Sequence, residues 1–180
     1  MSLRLLIIFF FLFFMYKTGP ITRQDIELLT SANLTLSFDY KTLILNSTES
    51  GILIPQKGEA DIEIDLEDLE EGETILDYPL EVILYVAALR SNEDRDITTL
   101  HEITHVRDLL CGYIPPGLYQ RSDASIMQDM WQYEQEVDDL AIKTVREKPM
   151  FVGNLIEKLG IYDYPDVDYL RREKLVKFYG

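Results

Sequence analysis

The chain has only two histidines, and they stand four residues apart with a glutamate beside the first, in the segment His101-Glu102-Ile103-Thr104-His105. In a helix, side chains four residues apart lie on one face, so both imidazole rings can reach a single metal ion. Glu102 projects roughly 100° further around the helix, where its carboxylate can hold a water molecule rather than the metal. The motif therefore predicts a helix that carries two zinc ligands, His101 and His105, and a general base, Glu102.

A zinc ion needs a third protein ligand, and the helix predicted after residue 122 offers an inward-facing pair of carboxylates. Glu134 and Asp138 fall within a row of helical spacing that is otherwise mainly apolar, made of Trp131, Glu134, Asp138, Ala141 and Val145. Carboxylates on an apolar face are costly unless a positive group meets them. We predict that Glu134 is the third ligand and that Asp138 accepts the ring N–H of one histidine, which fixes its tautomer.

Two neighbours on the histidine helix compete with this assignment. Arg107 could meet the carboxylate pair as a salt-bridge partner in place of a metal ion. Asp108 lies close in helical angle to the histidines and is a competing ligand or histidine partner. Glu134 ranks above Asp108, because the same helix carries Asp108 past the metal. Cys111, near the end of this helix, is predicted to be a small buried residue rather than a redox group.

The two motifs together resemble a known signature. The first motif, with Glu134-Gln135-Glu136-Val137-Asp138, is similar to the HExxH plus ExxxD pattern of gluzincin peptidases related to HtpX and the CAAX prenyl proteases. The short spacer between the motifs suggests a compact, minigluzincin-like form, and Val137 departs from the small alanine that is usual at its position. The resemblance covers residues from about 78 to 148 and implies a zincin-like domain.

This resemblance implies a zinc-dependent endopeptidase, with Zn²⁺ as cofactor and a polypeptide as substrate. Glu102 would take a proton from the metal-activated water. Tyr162, Tyr164 and Arg121 are candidates for stabilising the oxyanion, and Ile62 to Leu66 is a candidate edge strand for holding the substrate extended. The alternative is a membrane-tethered zinc-binding protein that is inactive or latent as a peptidase.

The rest of the chain predicts an α+β fold, with a short β-sheet followed by the active-site helix, the third-ligand helix and C-terminal helices. Leu34, Leu36 and Phe38 alternate with polar residues, which is typical of a half-buried strand. Further strands are predicted at 52–54 and 61–66. Helices are predicted from Pro79 to Arg90, from Ile97 to Cys111 with Asp96 as N-cap and Gly112 as stop, from Ser122 or Asp123 to Glu147, and over 151–159 and 166–178.

Leu5 to Tyr16 is an unbroken run of twelve apolar residues between Arg4 and Lys17. As a helix it would span about 18 Å, well short of the ~30 Å hydrocarbon core of a bilayer. This is the length of a signal-peptide core, and a buried core helix is the alternative. We therefore predict a signal or anchor segment over residues 1–19, a peptidase domain over 20–180, and a membrane-anchored or secreted protein.

The charge balance restricts the partners. The formal net charge is −15, with 32 acidic residues against 17 basic ones. An acidic surface repels phosphate backbones, so nucleic acid is not an expected partner. Neutral or basic polypeptides fit better, and the membrane is contacted through the N-terminal segment alone.

Overall fold

The computed structural model describes residues 19–32, 34–47, 51–62, 78–113 and 124–179. Within these ranges the chain forms five helices and five strands, so the predicted α+β class with a small sheet is confirmed. The helices are α1 (Arg23–Ser31), α2 (Asn92–Leu110), α3 (Ala124–Glu147), α4 (Phe151–Lys158) and α5 (Val167–Tyr179). The strands are β1 (Leu34–Asp39), β2 (Leu45–Ser47), β3 (Leu53–Pro55), β4 (Gly58–Ile62) and β5 (Leu80–Tyr85).

The main sheet has the order β1-β5-β4, with β1 parallel and β4 antiparallel to the central strand β5. The helix predicted from Pro79 to Arg90 is therefore wrong. Residues 80–85 allow either period, because their apolar positions fit helical spacing as well as alternation. Pairing with β1 on one edge and β4 on the other stabilises the strand. This strand buries Leu80, Val82 and Leu84 on one face. A short 3-10 turn, Val86–Ala88, then leads toward α2.

Helix α2 begins at Asn92, five residues before its predicted start. Ser91 is the N-cap instead of Asp96, and its hydroxyl oxygen accepts a hydrogen bond from the backbone N–H of Asp94 at 3.1 Å. Acidic residues in the first turn, Glu93 and Asp94, also suit the positive end of the helix dipole. The polar run from Ser91 to Asp96 thus forms the N-cap and the first residues of this helix.

The end of α2 agrees with the prediction that Gly112 stops it. Gly112 has a φ of 80°, a left-handed conformation that glycine adopts without steric cost. The backbone N–H of Tyr113 then donates to the carbonyl of Asp108 at 2.8 Å, which satisfies one of the last carbonyls of the helix. Cys111, a free cysteine beside this stop, is partly buried.

Helix α2 contacts both the sheet, through β4 and β5, and the long helix α3. Between and around the two histidines, Leu100, Ile103 and Val106 are almost completely buried. Together they contribute to one core cluster, made of Leu29, Leu80, Val82, Leu84, Leu100, Ile103, Val106, Ala141, Val145, Val152, Leu155 and Ile156. The histidine helix is therefore held on two sides by packed apolar surface.

Several predictions fall on parts of the chain outside the described residues. These include the apolar run Leu5 to Tyr16, the strand residues after Ile62, Arg121, and the cap candidates Ser122 and Asp123. Across the described ranges, none of the helices combines the length and the apolar character that crossing a bilayer requires.

Candidate metal centre

The two histidines of α2 point their ring nitrogens at one another. The Nε2 atoms of His101 and His105 lie 2.8 Å apart, and the ring planes are inclined at 78°. This closeness follows from the four-residue spacing, because each histidine lies one turn from the other on the same helix face. Two lone pairs at this distance repel unless a proton or a cation lies between them. The pair is therefore a place where positive charge is stabilised.

Helix α3 brings Glu134 to the same point. Its Oε2 atom lies 3.2 Å from Nε2 of His101 and 3.4 Å from Nε2 of His105, so three donor atoms from two helices form one triangle. The Glu134 side chain is 44% exposed, which leaves the centre open toward solvent on this side. The structure thus brings together the three residues that the sequence predicts as ligands.

Glu102 lies close to both histidines and contacts strand β4 of the sheet. His101, Glu102 and His105 have donor atoms within 4.8 Å of one another, a group that could hold a metal ion. Glu102 is buried, and this burial raises the pKa of its carboxyl, although the two histidines lower it. Strand β4 passes directly against it, since a Cβ atom at Gly58 would lie 2.9 Å from both Cγ and Oε1 of Glu102.

Asp138 contacts the outer side of His101. Its Oδ1 atom lies 2.8 Å from Nδ1 of His101, and its side chain is 60% exposed. A carboxylate only accepts, so Nδ1 donates and Nε2 is the ring nitrogen that can bind a metal ion. This is the contact that the sequence predicts for Asp138.

His105 has a different partner, which sequence reasoning missed. Its Nδ1 atom lies 3.0 Å from the hydroxyl of Tyr133, and that hydroxyl donates to Oδ2 of Asp108 at 3.1 Å. Tyr133 precedes Glu134 on α3, so the helix that supplies the carboxylate also supplies the phenol. The position of Tyr133 next to Glu134 is the sequence signal that could have identified it. This signal is weak, because the chain has eleven tyrosines.

Arg107 and Asp108 are the residues of the two alternatives that the sequence leaves open, a salt bridge to the carboxylate pair and a competing ligand or histidine partner. Arg107 is buried and pairs with Asp108 at 2.5 Å and with Asp25 at 3.6 Å. Its guanidinium also donates to the carbonyl of Gly19 at 3.0 Å. Arg107 is thus engaged with acidic partners other than Glu134 and Asp138, and Asp108 contacts His105 through Tyr133.

No family model, curated protein or solved structure matches this chain.

The charges of the centre suit a cation. Burial lowers the pKa of His101, but hydrogen bonds to Asp138 and Glu134 outweigh it and raise that pKa to about 10. Burial raises the pKa of Glu134, and hydrogen bonds to both histidines outweigh it and lower that pKa to about 2. The surroundings therefore favour positive charge between the rings and a charged carboxylate beside them.

Other predicted positions lie apart from this centre. The hydroxyl of Tyr164 bonds with Thr99 at 2.8 Å and donates to Asp96 at 2.9 Å, and Tyr162 is 91% exposed. Neither geometry directs a hydroxyl to the histidines. Trp131, predicted in the inward row, is 63% exposed. The buried face of α3 is centred between Val137 and Ala141, and Trp131 lies roughly 100° around the helix from that midpoint.

Proposed function

We propose that this chain is a zinc-dependent endopeptidase of the gluzincin type with a zincin-like fold. One observation carries the proposal: the Nε2 atoms of His101 and His105 and Oε2 of Glu134 converge at separations of 2.8, 3.2 and 3.4 Å. Ligand atoms around a tetrahedral zinc ion lie roughly 3.3–3.5 Å apart, because the bonds to nitrogen and oxygen are about 2.0–2.2 Å long. The three residues therefore fit a zinc ion with small adjustments.

The chemistry of the donors favours zinc over the harder cations. Calcium and magnesium take sets of oxygen ligands, whereas imidazole nitrogens with one carboxylate suit zinc. Three protein ligands with access from solvent are also the arrangement of catalytic zinc sites, because a structural site closes its fourth position with protein. Glu134 is exposed enough to leave that access.

Glu102 is the residue that would move the proton. A bound zinc ion supplies Lewis acidity, which lowers the pKa of a coordinated water molecule to about 7. The carboxylate of Glu102 accepts the proton of the attacking water and later delivers it to the leaving amine. Burial raises the pKa of Glu102, and a general base works best when its pKa approaches the working pH.

The position of strand β4 favours a polypeptide as the substrate. It is an edge strand of the described three-stranded sheet, and its first residue, Gly58, lies against Glu102. An extended peptide can add to such an edge through main-chain hydrogen bonds, which hold it without reading its sequence. A substrate held along β4 would thus pass beside the general base, close to the strand position that the sequence predicts for this role.

Metal analysis and a peptide-library cleavage assay test the proposal. Purified protein should hold about one zinc ion per chain and should cleave peptides until a chelator is added. Glu102→Gln should keep the metal and lose nearly all hydrolysis, because the amide cannot accept the proton. Glu134→Ala should lose metal at ordinary concentrations, whereas Asp138→Ala should bind it about 10–100-fold more weakly.

Glu136→Ala is the matched control for the ligand variant. Glu136 lies two residues from Glu134 on the same helix, and it accepts a hydrogen bond from Gln132 at 3.0 Å. It should behave like the parent. Metal loss in Glu136→Ala together with retention in Glu134→Ala would refute the ligand assignment. Stoichiometric zinc without cleavage of any library peptide would instead support the inactive or latent zinc-binding protein.

A further inference from the structure

We propose that Tyr133 is a positioning residue, which orients His105 toward the metal by joining its ring to Asp108. The inference rests on the proposed metal site and extends it to a residue outside the histidine and glutamate motifs. Three contacts define the chain of groups: Nδ1 of His105 to the Tyr133 hydroxyl at 3.0 Å, that hydroxyl to Oδ2 of Asp108 at 3.1 Å, and Oδ1 of Asp108 to Nε of Arg107 at 2.5 Å.

The position of each hydrogen in this series of hydrogen bonds follows from which groups can donate and which can only accept. A phenol has one hydrogen to donate and can accept through its oxygen. Tyr133 donates that hydrogen to Asp108, so the His105 nitrogen on its other side must be the donor. His105 then carries a hydrogen on Nδ1, so Nε2 is the nitrogen that can bind a metal ion beside Glu134. The tautomer that a metal ligand requires is thereby set by Tyr133.

Burial makes this chain of groups rigid. Tyr133, Asp108 and Arg107 are 3%, 2% and 1% exposed, so their hydrogen bonds do not exchange readily with water. The Tyr113 ring also lies 5.3 Å from the Tyr133 ring, at a tilt of 43°. His101 is held differently, because its partner Asp138 is mostly exposed. The two metal ligands of α2 therefore differ in what orients them.

The test is Tyr133→Phe, which keeps the ring and removes the hydroxyl. Its zinc affinity should fall by about 10–100-fold, as for other groups that orient metal ligands. The visible absorption of the Co²⁺-loaded protein should also change, because it reports the ligand geometry and not the stability of the fold. Unchanged affinity together with an unchanged Co²⁺ spectrum would overturn the proposal.

Tyr164→Phe is the matched control. Tyr164 also donates its hydroxyl hydrogen to an aspartate of α2, Asp96, but it contacts Thr99 and not a histidine. It should lose a comparable part of the stability and leave the zinc affinity and the Co²⁺ spectrum as in the parent. An equal loss of affinity in both variants would show a general structural effect and would overturn the positioning role.

A measurement on the parent protein needs no variant. Nitrogen NMR of the zinc-loaded protein should show the His105 proton on Nδ1, and a proton on Nε2 would refute the assignment. The outcomes also separate this inference from the proposed peptidase. Metal binding that weakens in Tyr133→Phe without any peptide cleavage would leave the positioning role standing and sink the peptidase. Peptide cleavage by the parent, together with unchanged metal binding in Tyr133→Phe, would support the peptidase and refute the positioning role.

Discussion

At the scale of single residues, Gly58 is a point of close contact between the sheet and the candidate catalytic residue, Glu102. A Cβ atom there would lie 2.9 Å from Cγ and Oε1 of Glu102 and 2.9 Å from the methyl carbon of Thr98. Contacts this short require something to move, and the end of the flexible Glu102 side chain yields most easily. A glycine at this position lets the edge strand approach Glu102, the proposed general base.

Gly58→Ala should therefore reduce hydrolysis while leaving zinc content intact. Displacement of a reacting group by about 1 Å can cost a factor of about 10² in rate, and we expect a loss of that order. Peptide cleavage and metal content of the same preparation provide the measurement. Full peptidase activity in Gly58→Ala would contradict the proposed role of Glu102 as general base.

Gly153→Ala serves as the control. Gly153 lies in α4, and no atom would come within 4 Å of an added Cβ. Alanine there should raise the free energy of unfolding by roughly 0.5–1 kcal/mol, because glycine loses more backbone freedom inside a helix. Hydrolysis should stay at the parental rate.

At the scale of elements, two side chains at the start of α2 cap the N-termini of this helix and of α5. The Ser91 hydroxyl accepts from the Asp94 N–H, and the next residue, Asn92, accepts from the Val167 N–H at 2.8 Å. The first helical residue of α2 thus also satisfies the first residue of α5. Two helices gain a partner for an otherwise unpaired N–H from two adjacent side chains.

Ser91→Ala should lower the free energy of unfolding by about 1 kcal/mol, because the Asp94 N–H loses its cap. Chemical denaturation of the parent and the variant measures this directly. Ser31→Ala is the control, since the Ser31 hydroxyl donates to the Leu28 carbonyl at an exposed helix end. Its effect should stay within about 0.5 kcal/mol. A similar loss in both variants would mean that Ser91 does not act as the cap.

At the scale of the whole molecule, the candidate metal centre depends on the core between β5 and α2. Leu84 is fully buried in the central strand, whereas Leu53 in the β2–β3 hairpin is 58% exposed. Both residues are leucines in strands, so they differ mainly in the apolar surface that folding removes from water. They form a natural pair for testing where stability resides.

Leu84→Ala should destabilise the fold by about 2–5 kcal/mol, through lost burial and the cavity left behind. Leu53→Ala should change the unfolding free energy by no more than about 0.5 kcal/mol. Denaturant titration of the two variants beside the parent checks both values. A larger loss from Leu53→Ala would place the core elsewhere than the sheet and α2.

Local chemistry explains why the residues of the centre could be predicted from the sequence. The spacing of His101 and His105 places both rings on one helix face wherever the helix packs, and the phase of Glu134 on α3 follows from the same periodicity. Asp138 follows one turn later. The identity of the metal as zinc, the hydrolysis and the gluzincin assignment remain predictions.

Tertiary structure decided the features that depend on partners distant in the sequence. Residues 80–85 fit two periods, and only pairing with β1 and β4 makes them a strand. The contact between Gly58 and Glu102 and the path from Asp108 through Tyr133 to His105 each join separate elements. Side-chain spacing along one segment determines which face a residue occupies, but the packing of whole elements determines what that face meets.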